Sequence, residues 1–265
     1  MKRNEKRLLD TVEELYQFRS RIPANLTVEK VKEVWGIDIK QEKFPKVIEP
    51  RKNIIEEKVE ITQKSLNQIL LKPIVRFIGI SGSVASEFVQ RDDDIDLFIV
   101  VKNDTVWIYR LYIYIKNLFK RNIRSKGNPN VKDKLCINFL VEQRALDFEQ
   151  DIFNLNELTY LKPIYNKEFL NIIFLSNLWL EERYLISEKF LGKRNLKVGD
   201  VKKIGKRNYF LLPVNFLAFL FQLVFMLVTK HNPDIKRLFK GFRDGEVQFY
   251  PEDFKEEKLK EIKVD

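Results

Sequence analysis

Asp94 and Asp96 flank a single residue at the start of the run Ile95, Leu97-Phe98-Ile99-Val100, which is otherwise apolar and rich in strand formers. Side chains alternate along a strand, so both carboxylates share one face while Ile95 and Leu97 point to the other. Adjacent carboxylates repel unless a cation lies between them. A hard divalent ion, Mg²⁺ or Mn²⁺, is the usual partner where phosphates must also be held. Separated from Asp94 by ten intervening residues, the triplet Ser81-Gly82-Ser83 ends a second apolar run. Gly82 lacks the Cβ that would keep a phosphate off the backbone, Ser83 offers a hydroxyl, and free N–H groups at the start of a helix favour an anion. Together these residues suggest a triphosphate cradle, Ser81 to Ser83, beside a metal site on Asp94 and Asp96.

The elements needed to hold these groups are readable around them. Ile74 to Ile80 is strand-like despite Arg76, and Val84-Ala85-Ser86-Glu87-Phe88 continues the turn as a short helix. Upstream, a helix is expected from about Asn53 to Leu71, burying Ile55, Val59, Leu66, Ile69 and Leu70 and stopped by Pro73. Downstream, Thr105 is placed to cap a helix whose Trp107, Leu111, Tyr114 and Leu118 form one stripe, with Ile108, Tyr112, Ile115 and Phe119 beside it. Leu135 to Val141 is the next strand, with Asn138 at its centre and Glu142 at its end.

The succession of apolar strand, Gly-Ser, short spacer and Asp-Ile-Asp-Leu on a second apolar strand resembles the signature of the DNA polymerase β-like nucleotidyltransferase superfamily. Within it, the Cys136-Ile137-Asn138-Phe139 strand after Asp93-Asp94-Ile95-Asp96 is similar to that of a prokaryotic branch of nucleotidyltransferase-domain proteins. The likeness extends through Asn156-Glu157-Leu158, Lys162-Pro163-Ile164-Tyr165 and Phe216-Leu217-Ala218 with Gln222 and Met226. It implies an α+β fold: a small mixed β-sheet core flanked by helices, with a helical C-terminal domain. It also implies transfer of a nucleoside monophosphate from an NTP such as ATP to an acceptor, with Mg²⁺ or Mn²⁺ on Asp94 and Asp96 and phosphates on Gly82 and Ser83. The superfamily's third acidic residue matches Asn138, whose amide oxygen coordinates Mg²⁺ weakly and takes no proton. Glu142, four residues on and on the same face by alternation, is a partial substitute, and Asp133 another if the register is shifted. The expected segments are an N-terminal helical lobe (1–50), a nucleotidyltransferase core (51–150) and the C-terminal domain (151–265).

A chain of 265 residues with 45% hydrophobic and 12% aromatic residues can bury a substantial core, which excludes disorder as the default. Forty-eight Lys and Arg against 38 Asp and Glu leave a charge of +10, suited to a polyanionic partner. Two basic loops, 116–134 and 193–207, are candidate edges for RNA or another polyanionic acceptor. One cysteine, Cys136, excludes a disulfide within the chain, and one histidine, His231, excludes a multi-histidine metal site. The charged stretch Met1 to Arg7 precedes no signal-like apolar segment, so a cytoplasmic protein is expected.

Elsewhere, helical periodicity covers Leu8 to Tyr16, and Thr27 caps a second helix ending near Gly36. These are expected as packing helices of a small lobe, with a winged-helix-like module, its wing strands around 37–39 and 47–48, as the alternative; a linker at Pro45 and Pro50 would follow. Helices are expected over 155–161 and 168–185. Val214 to Val228 is fifteen apolar-dominated residues, roughly 22 Å as a helix and short of a bilayer core. With Asn215, Gln222 and Thr229 seven apart on one stripe, a helix buried in a C-terminal bundle is the expectation, rather than a membrane span. Asn138 also motivates a second function, an NTP-binding or regulatory module without turnover. The charge and the apolar helix motivate a third, an RNA-associated or membrane-surface protein using the fold as scaffold.

Overall fold

Capping and patterning set the first helices. Thr27 precedes α2 (Val28–Trp35) and its side chain accepts from Lys30 N, while Gly36 ends the helix with φ of 72°. α1 (Lys2–Arg21) turns Val12, Leu15 and Phe18 inward, and α3 (Lys52–Ile69) turns Ile55 and Ile69. The computed structural model describes residues 2–21, 26–38, 51–124, 130–192, 205–229, 234–248, 255–257 and 259. The alternative wing strand at 47–48, the linker prolines, His231 and most of the basic loop 193–207 lie outside these.

Five strands form one mixed sheet in the order β4-β1-β2-β3-β5. β1 (Val75–Ile80) runs antiparallel to β2 (Ile95–Val101), with the short α4 (Gly82–Ala85) in the connection. α5 (Val106–Lys120) crosses over to β3 (Leu135–Glu142), which lies parallel to β2. The edges are two strands the sequence reading did not anticipate: β4 (Lys162–Tyr165) against β1 and β5 (Glu246–Gln248) against β3. Between β3 and β5 in the chain come α6 (Ile152–Tyr160), α7 (Phe169–Leu175), α8 (Trp179–Glu182), α9 (Glu188–Leu191), α10 (Leu212–Val228) and α11 (Ile235–Asp244).

Both faces of the sheet are covered, which is why its central strands are almost wholly apolar. On one face Phe77, Phe98, Val100, Phe139 and Val141 pack with α1, α2 and α6 to α9. On the other, Ile78, Ile80, Leu97 and Ile99 pack with α3, α5, α10 and α11. These cores run across the boundaries of the segments 1–50, 51–150 and 151–265. The single helix expected over 168–185 is split because the buried Asn177 side chain takes backbone partners: it accepts from Phe148 N at 2.9 Å and donates to Leu146 O at 2.7 Å.

Glu142 is fully buried at the end of β3 farthest from Leu135. Its Oε1 accepts from Thr105 N at 3.0 Å and Val106 N at 3.2 Å, and its Oε2 accepts from Arg144 Nε at 2.8 Å. It therefore caps α5, a task expected of Thr105, whose own hydroxyl donates back to Lys102 O. Replacing Glu142 with alanine strands two backbone N–H groups and the Nε–H of Arg144, whose Nη atoms keep Arg243 O and Phe242 O. The expected cost is about 3 kcal/mol in denaturant unfolding, with no change in any Mg²⁺ response of Asp94 and Asp96.

Candidate functional site

The β1–α4–β2 hairpin places the turn directly on the acidic strand. Ser81 N donates to Asp96 O at 2.9 Å, and Ile80 is paired with Leu97. Gly82 has φ of +61°, and a Cβ there would lie 2.1 Å from Asp96 Oδ2. The absent side chain thus makes room for the Asp96 carboxylate as much as for a ligand. Ser81 is 2% exposed and its Oγ has no hydrogen-bond partner among the described residues. Ser83 is differently engaged: its Oγ donates to Asp93 Oδ2 at 3.2 Å, and the same oxygen accepts from Gln90 N at 2.8 Å. Asp93 thereby ties the turn to the loop that delivers Asp94.

That loop is fixed from beneath by Lys58, a lysine of α3 only 1% exposed. Its ammonium donates to Asp93 O at 2.7 Å and Arg91 O at 3.3 Å and pairs with Asp133 at 2.9 Å. All three ammonium donors are used, the condition under which a buried charge is tolerated. Asp133, considered as a shifted third acid, serves as Lys58's partner. Lys58→Met should cost about 3 kcal/mol by orphaning these acceptors, and should weaken any stabilisation that Mg²⁺ gives by loosening Asp94, both readable in thermal unfolding with and without the ion.

The third strand corrects the expected register. Asp96 is paired with Cys136, and an irregularity follows in which Leu97 opposes Ile137 while Phe98 opposes Phe139. Asn138 is therefore the extra residue of a bulge, and Cys136 stands level with Asp96. Asp94, Asp96 and Cys136 each present a ligand atom within 4.8 Å of the others. Asn138 remains adjacent, its Oδ1 3.6 Å from Cys136 Sγ. Glu142, six residues along from Cys136 and roughly 20 Å away on an extended strand, is not brought to the cluster.

The electrostatics are those of crowded acids. Burial first, then the Asp94 and Glu157 carboxylates, push the Asp96 carboxyl up to about 8, with Arg124 and the Cys136 thiol acting in the other direction. Burial first, then the Asp96 and Asp94 carboxylates, push the Cys136 thiol up to about 12. Arg124 offsets part of this charge, its Nη1 donating to Asp94 Oδ2 at 2.5 Å. The residue is held there by a backbone bond from Arg124 N to Leu135 O. Such a set fits a divalent cation. Two carboxylate oxygens suit Mg²⁺ or Mn²⁺, whereas the thiol is a softer donor that Mn²⁺ tolerates better than Mg²⁺.

Three groups escaped the sequence reading as individual site residues. Arg124 lay in the basic loop 116–134 without a specific role. Glu157, on α6, belongs in the sequence only to a resembling segment, yet its charge acts on Asp96. Lys162 pairs with Ile80 in the sheet, beside the turn, and its Nζ meets Glu87 at 3.0 Å. No sequence signal short of the β4 pairing would have brought Lys162 to this place. No protein-family model, curated protein or solved structure matches the chain.

Proposed function

We propose that the chain is a metal-dependent nucleotidyltransferase that transfers a nucleoside monophosphate from an NTP to an acceptor hydroxyl, releasing pyrophosphate. The observation that carries this reading is the close fit of turn and acid pair, in which Gly82 lies against the Asp96 carboxylate beside the unpartnered buried hydroxyl of Ser81. Asp94 and Asp96 would hold Mg²⁺ or Mn²⁺, which when bound neutralises phosphate charge. The turn Ser81 to Ser83 would receive the phosphates through backbone N–H groups, with Lys162 adding positive charge nearby. The acceptor oxygen bonds to the α-phosphorus as the bond from that phosphorus to the bridging oxygen of pyrophosphate breaks. The hydroxyl proton goes to solvent or to the Glu157 carboxylate, since Asn138 cannot take it and the Cys136 thiol stays protonated. Positioning carries much of the rate in such a transfer.

A second reading, a triphosphate-binding module without turnover, is favoured by one feature: the third strand offers a thiol and an amide where a third carboxylate would complete the site. Labelled NTPs, offered with Mg²⁺ or Mn²⁺ and with RNA, protein or small-molecule acceptors, separate the two. Product from the wild-type chain that disappears in Asp94→Asn supports the transferase, and Cys136→Asp should then raise the rate about tenfold or more. Metal-dependent triphosphate binding with no product from either wild type or Cys136→Asp supports the module instead.

A further inference from the structure

Helix α10 is inside out. Its buried positions are Asn215, Ala218, Phe219 and Gln222. Asn215 Oδ1 accepts from Trp107 N and Ile108 N of α5, and Gln222 Nε2 donates to Trp107 O. Asn215 and Gln222 thus face the protein while Thr229, the third of the stripe, is exposed at the helix end, and Val214, Leu217, Phe221, Val224 and Val228 face away at 52 to 75% exposure. The expectation of a helix buried in a bundle is overturned.

This apolar surface continues onto its neighbours. Tyr114 of α5 lies 5.3 Å from Phe225 and Phe242 of α11 lies 5.5 Å from Phe216, ring centre to ring centre. Of the 18 large hydrophobic residues that are exposed among the described residues, 16 lie on α5, on α10 with the two residues Tyr209 and Phe210 just before it, or on α11. A contiguous patch of this kind marks an interaction surface.

Charge identifies the partner. Segments 106–121, 206–229 and 234–244 contain ten Lys and Arg against two acids, the N-cap Asp234 and Asp244, which is paired with Arg243. On α11, Lys236 and Lys240 are exposed beside exposed Ile235 and Phe239, the arrangement of a helix that lies in a lipid interface. At the foot of α10 an open cavity of about 330 Å³ is lined by Lys102, Lys206, Arg207 and Tyr209, wide enough for a phosphate headgroup. A second copy is a poorer fit, because a two-fold interface would set one cationic rim against the other. A span is no better: no helix among the described residues is long and apolar enough to cross a membrane. The geometry points to shallow docking of the α5–α10–α11 face on an anionic phospholipid bilayer, with α10 lying along the surface and the basic residues among the headgroups.

Vesicle flotation of the full chain tests this, using phosphatidylcholine alone and phosphatidylcholine with about 30 mol% phosphatidylglycerol. The chain should float with the anionic vesicles, less so as salt rises, and far less with the neutral ones. Leu217→Glu with Phe221→Glu should weaken binding about tenfold or more, with unchanged thermal unfolding because both side chains are exposed. Lys236→Glu with Lys240→Glu should also weaken it, and reads the same question should the first variant fail to fold. A wild-type chain that stays unbound with both vesicle types overturns the proposal. So does a solution dimer made monomeric by Leu217→Glu with Phe221→Glu in a chain that ignores lipid, which would make the face an interface between copies.

Discussion

Asp96→Asn is expected to stabilise the metal-free protein while removing its response to Mg²⁺. The carboxyl has a folded-state pKa of about 8 against the ordinary 3.8. Between these values the native state holds a proton that the unfolded chain releases, so stability falls as pH rises from about 4 to 8 and levels off above. An amide of the same shape carries no such cost. The variant should match wild type near pH 4 and exceed it by on the order of 2 kcal/mol at pH 8 and above, a figure discounted from the full shift because the carboxylate keeps some contact with water. Urea unfolding in EDTA across that range measures it. Added Mg²⁺ should reverse the ranking, since an ion at one hundred times its dissociation constant stabilises wild type by about 2.7 kcal/mol and has lost a ligand in the variant. The proposed nucleotide transfer should fall by a factor of about a thousand or more. A variant no more stable than wild type at pH 8 would mean that the acids are not crowded in this way.

How much of this was legible in the sequence depended on how local the interaction is. Ser81 to Ser83, Asp94 and Asp96 sit in one strand–turn–strand stretch, and alternation alone put both acids on one face. The third strand was not legible in the same way. Its type and extent were clear, but the bulge at Asn138 changes which residue stands level with Asp96, and a single extra residue leaves no mark in an apolar pattern. Glu142 was on the acids' face by strict alternation, but the bulge inverts the pattern beyond Asn138, so Glu142 falls with Leu140 on the α5 face and is far from the cluster as well. The edge strands were hidden by length and composition: Lys162 to Tyr165 contains a proline, and Glu246 to Gln248 is three residues long. Helix α10 is the instructive case. The seven-residue spacing of Asn215 and Gln222 correctly marked a stripe, but periodicity cannot say which side of a nearly all-apolar helix faces inward. The unpaired N–H groups at the start of α5 decide it, by drawing the Asn215 amide toward the protein.

Gly82→Ala should be among the most damaging single substitutions in the chain, and for two separable reasons. The backbone at φ of +61° disfavours any residue with a Cβ, at a cost of about 1 kcal/mol. The new methyl would also lie 2.1 Å from Asp96 Oδ2, 2.9 Å from its Cγ and 3.0 Å from its Cβ. Ser81 N is bonded to Asp96 O, so turn and strand cannot part without breaking the sheet's last rung, and the carboxylate itself must swing away. The expected loss is about 3 kcal/mol in unfolding in EDTA, where no ion compensates. A displaced Asp96 no longer faces Asp94 and Cys136, so Mg²⁺ should stabilise the variant little and triphosphate binding should fall by about tenfold or more. Combining Gly82→Ala with Asp96→Gly removes the clash but not the strain. The double variant should therefore recover most of the unfolding free energy lost by Gly82→Ala, while Mg²⁺ binding stays absent. Additive losses in the double variant would show that Gly82 and Asp96 do not meet, and would remove the contact on which the proposed triphosphate site rests.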